Sequence, residues 1–513
     1  MNPQALSSSG IQIEIMDTTL RDGEQTSGVS FTASEKLTLA RILLEEVKVD
    51  RLEIASARIS AGEYEAVDRI VDWARENGYL QCIEVLGFVD GTASLDWIHQ
   101  AGAKVINLLC KGSLHHLEGQ LRKTPQEHIA DIKSSIAYAQ TLDIQANVYL
   151  EDWSNGMRTS PEYVFELMDG LKDLPIHRFM LPDTLGVMNP MEAGRFYGTM
   201  VERFPHLHFD CHTHNDYDLA VANVFAGIQA GAKGVHTTVN GLGERAGNAS
   251  LASVVAVLHD QLHLKTNVDE MRLNKVSRMV ERFAGERLPS NKPIVGEYVF
   301  TQTCGVHADG DSKGDLYSSE LSPERFGRER KYALGKTSGK ASIQKNLEEL
   351  GISLSSEEMK KVTKRVVELG DKKKGITTQD LPYIISDVLG SEMHKDKIRL
   401  QNYYVTHVHK LHPTASVSID FEGQVFEASS HGDGQYDAFM KALKRIYKKI
   451  DRKLPDLLDY QVTIPPGGRT NALVETVITW SNGREFKTRG LDSDQTSAAI
   501  QATMKMLNLM EEK

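Results

Sequence analysis

Short runs of β-branched and apolar residues alternate, through the first half of the chain, with longer stretches whose apolar positions recur every three or four residues. The short runs lie at 11–16, 51–54, 82–86, 105–109, 145–150, 178–181, 208–212 and 235–240 and predict strands. The stretches between them, among them 34–46, 63–76, 125–141 and 161–171, predict amphipathic helices. Eight strand-then-helix units in a row predict an α/β fold of the TIM type, a closed parallel (β/α)8 barrel. A doubly wound open sheet competes, but no glycine-rich nucleotide turn follows the first strand.

The pattern changes after the barrel. Residues 291–317 are rich in Gly, His and Asp and read as a functional loop, while 341–350, 356–368 and 378–389 have helical spacing. From about residue 398, alternating strands at 416–421, 424–428, 459–464 and 472–480 surround helices at 436–449 and 494–510. That α+β module carries no cluster of catalytic residue types and reads as regulatory or oligomeric. The expected domains are a catalytic barrel over 1–285, a loop and helical linker over 286–395, and a C-terminal α+β domain over 396–513. No repeat of solenoid period and no long low-complexity segment breaks this order.

Composition narrows the partners. The chain has 513 residues, 40% hydrophobic and 25% charged, the profile of a soluble globular protein with material for a barrel-sized core. Its 59 Lys and Arg against 70 Asp and Glu give a net charge of −11 with no long basic block, which argues against nucleic acid. No apolar stretch approaches membrane-spanning length, and the start MNPQALSSSG lacks the basic and apolar regions of a signal peptide. Cys82, Cys110, Cys211 and Cys304 stand far apart without a C-x-x-C pair. This is the usage of a reduced cytoplasmic protein, not of a disulfide scaffold or thiolate zinc site.

On such a barrel, reacting groups sit at the C-terminal ends of strands. Arg21 and Asp22 follow the first predicted strand, Glu151 and Asp152 the fifth, Asp183 and Thr184 the sixth, and His212 and His214 belong to the seventh. Strand side chains repeat every second residue, so both imidazoles leave one face, which Asp210 shares. Two parallel imidazoles and a carboxylate from elsewhere make an open divalent-metal site with positions left for substrate. Turn chemistry accounts for Asp183 or Thr184 singly, but poorly for Arg21, Asp22, Glu151 and two histidines together.

Three segments, DTTLRDGEQ (17–25), HTHND (212–216) and NGLGERAGN (240–248), together resemble the metal-dependent Claisen condensation family of 2-isopropylmalate, homocitrate and citramalate synthases. The likeness covers essentially the whole chain. GEYVFTQTCGVHADGDSKGDLY (296–317) resembles the family's second catalytic loop, and PPGGRTNALVET and GLDSDQTSAAI resemble its allosteric domain. LEIASARIS, VLGFVDG, NLLCKGSLHHLE and NVYLEDWSNG are most similar to the citramalate synthase branch.

The resemblance implies Asp22, His212 and His214 as metal ligands, with Asn248 as a fourth. Such a set suits Mn2+ or Mg2+, and two imidazoles also accept Zn2+. The metal would chelate a 2-oxo acid, Arg21 would face the oxygen that becomes an alkoxide, and Thr184 would hold the substrate carboxylate. The acetyl donor implied is acetyl-CoA, whose methyl must lose a proton. Glu151 is the best carboxylate for that base or its relay, with His307, Asp309 and Tyr317 as rival or cooperating proton handlers. In the family this loop reaches the partner's active site, which implies a homodimer. Asp315 departs from the asparagine of the closest resemblance and would weaken an anion contact or shift the loop's hydrogen bonds. Asp210 reads as support for a ligand or as simple burial among polar neighbours.

Leu86, Leu109 and Tyr149 fall at or near the mouths of strands three to five. Three bulky groups there leave room for a methyl, which favours pyruvate; ordinary core packing is the other role open to the leucines. Forcing extra methylenes into a filled pocket costs about 1–3 kcal/mol. A dicarboxylic oxo acid would need a cation, which this wall is expected to lack. For the citramalate branch the implied effector is isoleucine. Glycines at 432–438 and 465–470 either present backbone amides to its carboxylate or serve as hairpin and helix-start glycines.

Three other readings compete: a 2-isopropylmalate synthase acting on 2-oxoisovalerate, a biotin-dependent carboxyltransferase, and a non-catalytic amino-acid sensor. Met504-Lys505-Met506 copies the triplet around a biotin-accepting lysine, but that lysine needs a hairpin tip and 494–510 has helical spacing. A sensor needs no set like Arg21, Asp22, Glu151, His212, His214 and His307.

Overall fold

β-Branched runs become strands wherever both faces are covered, and here eight of them close on themselves. A computed structural model describes residues 12–304, 310, 314, 316, 319–371, 376–389, 397–464, 474–483 and 485–511. The barrel runs β1 (Glu14–Asp17), β2 (Arg51–Ser56), β3 (Ile83–Phe88), β4 (Val105–Lys111), β5 (Gln145–Glu151), β6 (Ile176–Asp183), β7 (Phe209–Thr213) and β8 (Gly234–Thr237). Every neighbouring pair is parallel, and β8 returns to β1 with Ile15 opposite Val235. The last run, read as a strand to residue 240, stops at Thr237. Asn240 and Gly241 take φ of 63° and 72°, and this left-handed pair turns the chain out of the sheet.

The connecting helices start where capping chemistry allows. Thr124 and Glu127 form a capping box at the head of Pro125–Thr141, with Pro125 in its first turn, and the apolar part of its buried stripe is Ile132, Ile136 and Ala139. Each of the two isoleucines removed from water contributes about 1.5–3 kcal/mol. The helix expected over 34–46 is α-helical only over Ala33–Arg41 and loosens into a π-helical stretch over Ile42–Val47. The lumen departs from ordinary apolar filling. Glu53, Asn107 and Asn147 form a buried ladder, with Asn107 donating to Glu53 at 2.8 Å and Asn147 to Asn107 at 2.9 Å. The strand ends thus frame a polar interior rather than a sealed core.

The chain divides into two units, Met1–Phe300 with Ser318–Arg330, and Thr301–Tyr317 with Lys331–Lys513. In the second, helices Lys340–Glu349, Ser356–Asp371 and Leu381–Leu389 pack around Ile343, Leu347, Val362, Val366 and Ile385. Two three-stranded antiparallel sheets follow, Ile398–Thr406 with Thr414–Phe421 and Gln424–His431, then Asp456–Thr463 with Val474–Ser481 and Glu485–Asp492. Each sheet is followed by a helix, Gln435–Lys449 and Gln495–Glu511, so the module repeats one βββα topology. Lys505 lies inside the second of these helices and pairs with Asp380 at 2.6 Å. Among the described residues no helix is long and apolar enough to cross a membrane.

Candidate functional site

β7 is buried along its whole length, and it turns Asp210 and His212 into the lumen with His214 just past its end. Asp22 arrives from the turn after β1, where its N–H bonds to the Thr18 carbonyl at 2.8 Å and folds the segment back over the barrel. Asp22 Oδ2 lies 3.3 Å from His212 Nε2 and 4.0 Å from His214 Nε2, and the two Nε2 atoms are 3.4 Å apart. The three side chains are buried, with ligand atoms within 4.8 Å of one another.

The donor set fits a cation. Among the described residues, none donates to either carboxylate oxygen of Asp22 in good geometry, although both are buried. Burial works to raise this carboxyl's pKa, but Arg21, His212 and His214 outweigh it and hold Asp22 below the usual carboxylate range. Burial pushes the His214 imidazole down to about 4, so near neutral pH it offers a lone pair. Asn248 joins the edge of this cluster through a bridge to His214. Its Nδ2 donates to the Leu242 carbonyl at 3.1 Å, while its Oδ1 is buried without a donor. Orphaned buried acceptors on an acid and an amide, beside two imidazoles, are what an oxygen- and nitrogen-loving divalent ion satisfies. A side chain at Gly243 would overlap the Asn248 amide, so the glycine-rich turn makes room for it.

Arg21 is locked beside this cluster. Its Nε donates to Glu53 at 2.6 Å, and its other nitrogens lie 3.5 Å from Asp22 and 3.4 Å from the Tyr149 hydroxyl. Burial disfavours its charge, yet Glu53 and Asp22 more than compensate and keep it protonated. Glu53 also accepts from the Thr18 hydroxyl at 2.7 Å. It is a functional-site residue that sequence reasoning missed; the only signal was an acid inside an apolar strand run.

Lys111, also missed, ends β4 opposite Glu151 at the end of β5, and the two form an ion pair. The next residue, Asp152, has φ of 64° and accepts from the Ser113 hydroxyl at 2.7 Å. Its N–H donates to Thr184 Oγ1 at 2.8 Å, which leaves the threonine's own proton free to donate. Asp183 behaves as turn chemistry, accepting from Ser154 and from the N–H groups of Val187 and Met188.

Leu86, Tyr149, Met16 and Met180 form one buried apolar cluster with Leu109 against it. The Tyr149 ring is 5.7 Å from the His212 ring, so this wall adjoins the candidate cation site. A cation does adjoin the wall, contrary to expectation: Arg21 lies over the Tyr149 ring at 5.7 Å, though Glu53 and Asp22 already engage it. His307, Asp309, Asp315 and Tyr317 lie outside the described residues, as does the glycine turn at 465–470.

Asp210 is joined to Arg51, His208 and His236 rather than to either imidazole of the cluster. His236, on β8, is the third missed residue; burial pushes its imidazole down to about 4 despite Asp210. Opposite Asp210 stands Gly234, where an added Cβ would overlap the Asp210 carboxylate. Gly234→Ala is therefore expected to cost about 1–3 kcal/mol, measured as a lowered urea midpoint of the full chain.

A (β/α)8 barrel with a buried carboxylate–imidazole cluster at its strand ends defines the class: a barrel protein organised around a candidate divalent-cation site. Comparison with known proteins makes this specific. Residues 12–280 match the HMGL-like family model, 294–374 the homocitrate synthase post-HMGL domain-like model, and 375–511 the LeuA allosteric (dimerisation) domain. The 2-isopropylmalate synthase of Methanocaldococcus jannaschii is 34% identical over 97% of this chain and 94% of its own length. The (R)-citramalate synthase of the same organism is 33% identical over 98% of this chain and 100% of its own. The chain also aligns with the hydroxymethylglutaryl-CoA lyase of Pseudomonas aeruginosa, at 18% identity and TM-score 0.47, over 54% of this chain and 94% of that one. The chain belongs to the HMGL-like family, in the group of 2-isopropylmalate and citramalate synthases.

Proposed function

We propose that this protein is an (R)-citramalate synthase, condensing acetyl-CoA with pyruvate and releasing CoA by hydrolysis. The observation that carries the choice of pyruvate is the closed apolar wall of Leu86, Leu109, Tyr149, Met16 and Met180 beside the cation cluster. Side chains of that bulk favour a methyl over an isopropyl group beside the ketone.

Asp22, His212, His214 and Asn248 would hold a divalent ion, Mn2+ or Mg2+ with Zn2+ also compatible. When bound, that ion supplies Lewis-acid polarisation of the acceptor carbonyl. Arg21, already oriented by Glu53, faces the oxygen on which negative charge grows, at no cost of reorganisation. Thr184 donates its hydroxyl proton to the pyruvate carboxylate. Glu151, held at the mouth of β5 by Lys111, takes or relays the proton of the acetyl methyl. His307, Asp309 and Tyr317 are the further proton handlers of this reading. The methyl carbon forms a bond to C2 of pyruvate, the C2 oxygen gains a proton, and water then cleaves the thioester to citramalate and CoA.

The C-terminal domain serves feedback inhibition by isoleucine, and the working form is a cytoplasmic homodimer. The family match over 375–511, to an allosteric dimerisation domain, supports a regulatory and dimerising role for this domain. The near-equal identity to a 2-isopropylmalate synthase favours one second reading, with 2-oxoisovalerate as acceptor. Leu86→Ala and Leu109→Ala separate the two. Either change is expected to raise the kcat/KM ratio of 2-oxobutanoate or 2-oxoisovalerate over pyruvate by about 10- to 100-fold. Ratios unmoved in both variants would reject the pocket. NMR identification of citramalate as the product from pyruvate tests the activity itself.

A further inference from the structure

Beneath His212 the lumen holds a continuous polar chain that the proposed reaction does not use. Arg51 donates to Asp210 Oδ2 at 2.6 Å and His208 Nε2 lies 2.9 Å from Oδ1, so each carboxylate oxygen has a partner. His236 presents its Nε2 to the same carboxylate at 3.1 Å. A carboxylate only accepts, so this nitrogen carries the ring's proton, and Nδ1 of the neutral imidazole is left with a lone pair. Two groups face that Nδ1: the Tyr149 hydroxyl at 2.9 Å and His212 Nδ1 at 3.2 Å. Both must donate. His212 is then protonated on Nδ1 and carries its lone pair on Nε2, the atom 3.3 Å from Asp22 and 3.4 Å from His214.

We propose that His236, held by Asp210, is a positioning residue that sets the tautomer of His212 and thereby the affinity of the cluster for a divalent cation. This rests on the metal reading above. Geometry elsewhere agrees. Among the described residues His214 has no such partner, its Nδ1 being buried without a hydrogen bond, so the tautomer control described here acts on His212. The space for the Asp210 carboxylate exists because position 234 is glycine. The chain thus spans three strands: β7 supplies His212 and Asp210, β8 supplies His236, and β2 supplies Arg51.

The test is Mn2+ affinity of the full-length protein, read from the EPR signal of free Mn2+ without turnover. The wild type is expected to bind and His212→Ala to lose binding. His236→Leu, which removes the acceptor, is expected to weaken binding about 10- to 100-fold. His236→Gln, whose amide spans the same two neighbours, restores most of it. If leucine is not accommodated in the fold, His236→Phe reads the same loss, since its ring keeps the shape but offers no in-plane lone pair. Wild-type affinity in His236→Leu or His236→Phe, with His212→Ala still deficient, overturns the tautomer role and leaves the metal site standing. A loss in His236→Gln as deep as in His236→Leu assigns mere packing and also overturns it. Equal binding by wild type and His212→Ala removes the metal reading, and this inference with it.

Discussion

Asp22→Asn is expected to abolish detectable Mn2+ binding and to lower kcat/KM for the condensation by roughly a thousandfold or more. The change keeps the side chain's volume, removes the charge and turns one acceptor oxygen into an N–H donor. Several kcal/mol of transition-state stabilisation come from a polarising ion, and every 1.36 kcal/mol is about tenfold in rate. In the structure both Asp22 oxygens are buried without hydrogen bonds while Arg21, His212 and His214 favour the ionised form. Such an acid is held ready for a cation rather than for a proton. Metal content by atomic emission and CoA release by thiol titration check the outcome together. Unimpaired turnover in Asp22→Asn would remove this residue from the metal site.

Arg21→Lys is expected to lower kcat by about 10²–10³ with a smaller change in the KM for the oxo acid. Lysine keeps the charge but not the fork. The guanidinium holds Glu53 through Nε while presenting its other nitrogens to Asp22 and the Tyr149 hydroxyl, and a single ammonium cannot do both. Steady-state kinetics decide between two roles. A fall in kcat marks an interaction made as the alkoxide forms; a rise in KM at constant kcat would make Arg21 a binder of the ground-state carboxylate instead.

The barrel was readable because its strands are short, largely buried runs set at regular intervals, and because Pro125 and Pro161 mark helix starts. The mouth residues were readable for a similar reason: strand ends are local, so Arg21, Asp22, Glu151, His212 and His214 could be placed by counting. Their partners could not. Glu53 meets Arg21 across 32 residues, His236 meets Asp210 across 26, and Arg51 meets Asp210 across 159. Such contacts depend on barrel closure and register, which no local pattern encodes. Asp210 shows the difference most clearly. Its face was predictable from the period of two, but the bond to His236 needed the neighbouring strand.

In the C-terminal module, the edge strands Ile398–Thr406 and Glu485–Asp492 escaped the hydrophobic pattern. The first of these has only Ile398 fully buried and leaves Tyr404 66% exposed, so it lacks the alternation that betrays a half-buried strand. Without those two strands the repeated βββα topology was invisible.

The most direct measurement is CoA release from acetyl-CoA with Mn2+, comparing pyruvate, 2-oxobutanoate, 2-oxoisovalerate and 2-oxoglutarate, each with and without EDTA. The account predicts release with pyruvate well above the other three, and its loss on chelation. Preference for 2-oxoisovalerate would contradict the pyruvate pocket and make the protein a 2-isopropylmalate synthase. Release that survives EDTA, or none with any of the four acids, would contradict metal-dependent condensation at the Asp22, His212 and His214 cluster.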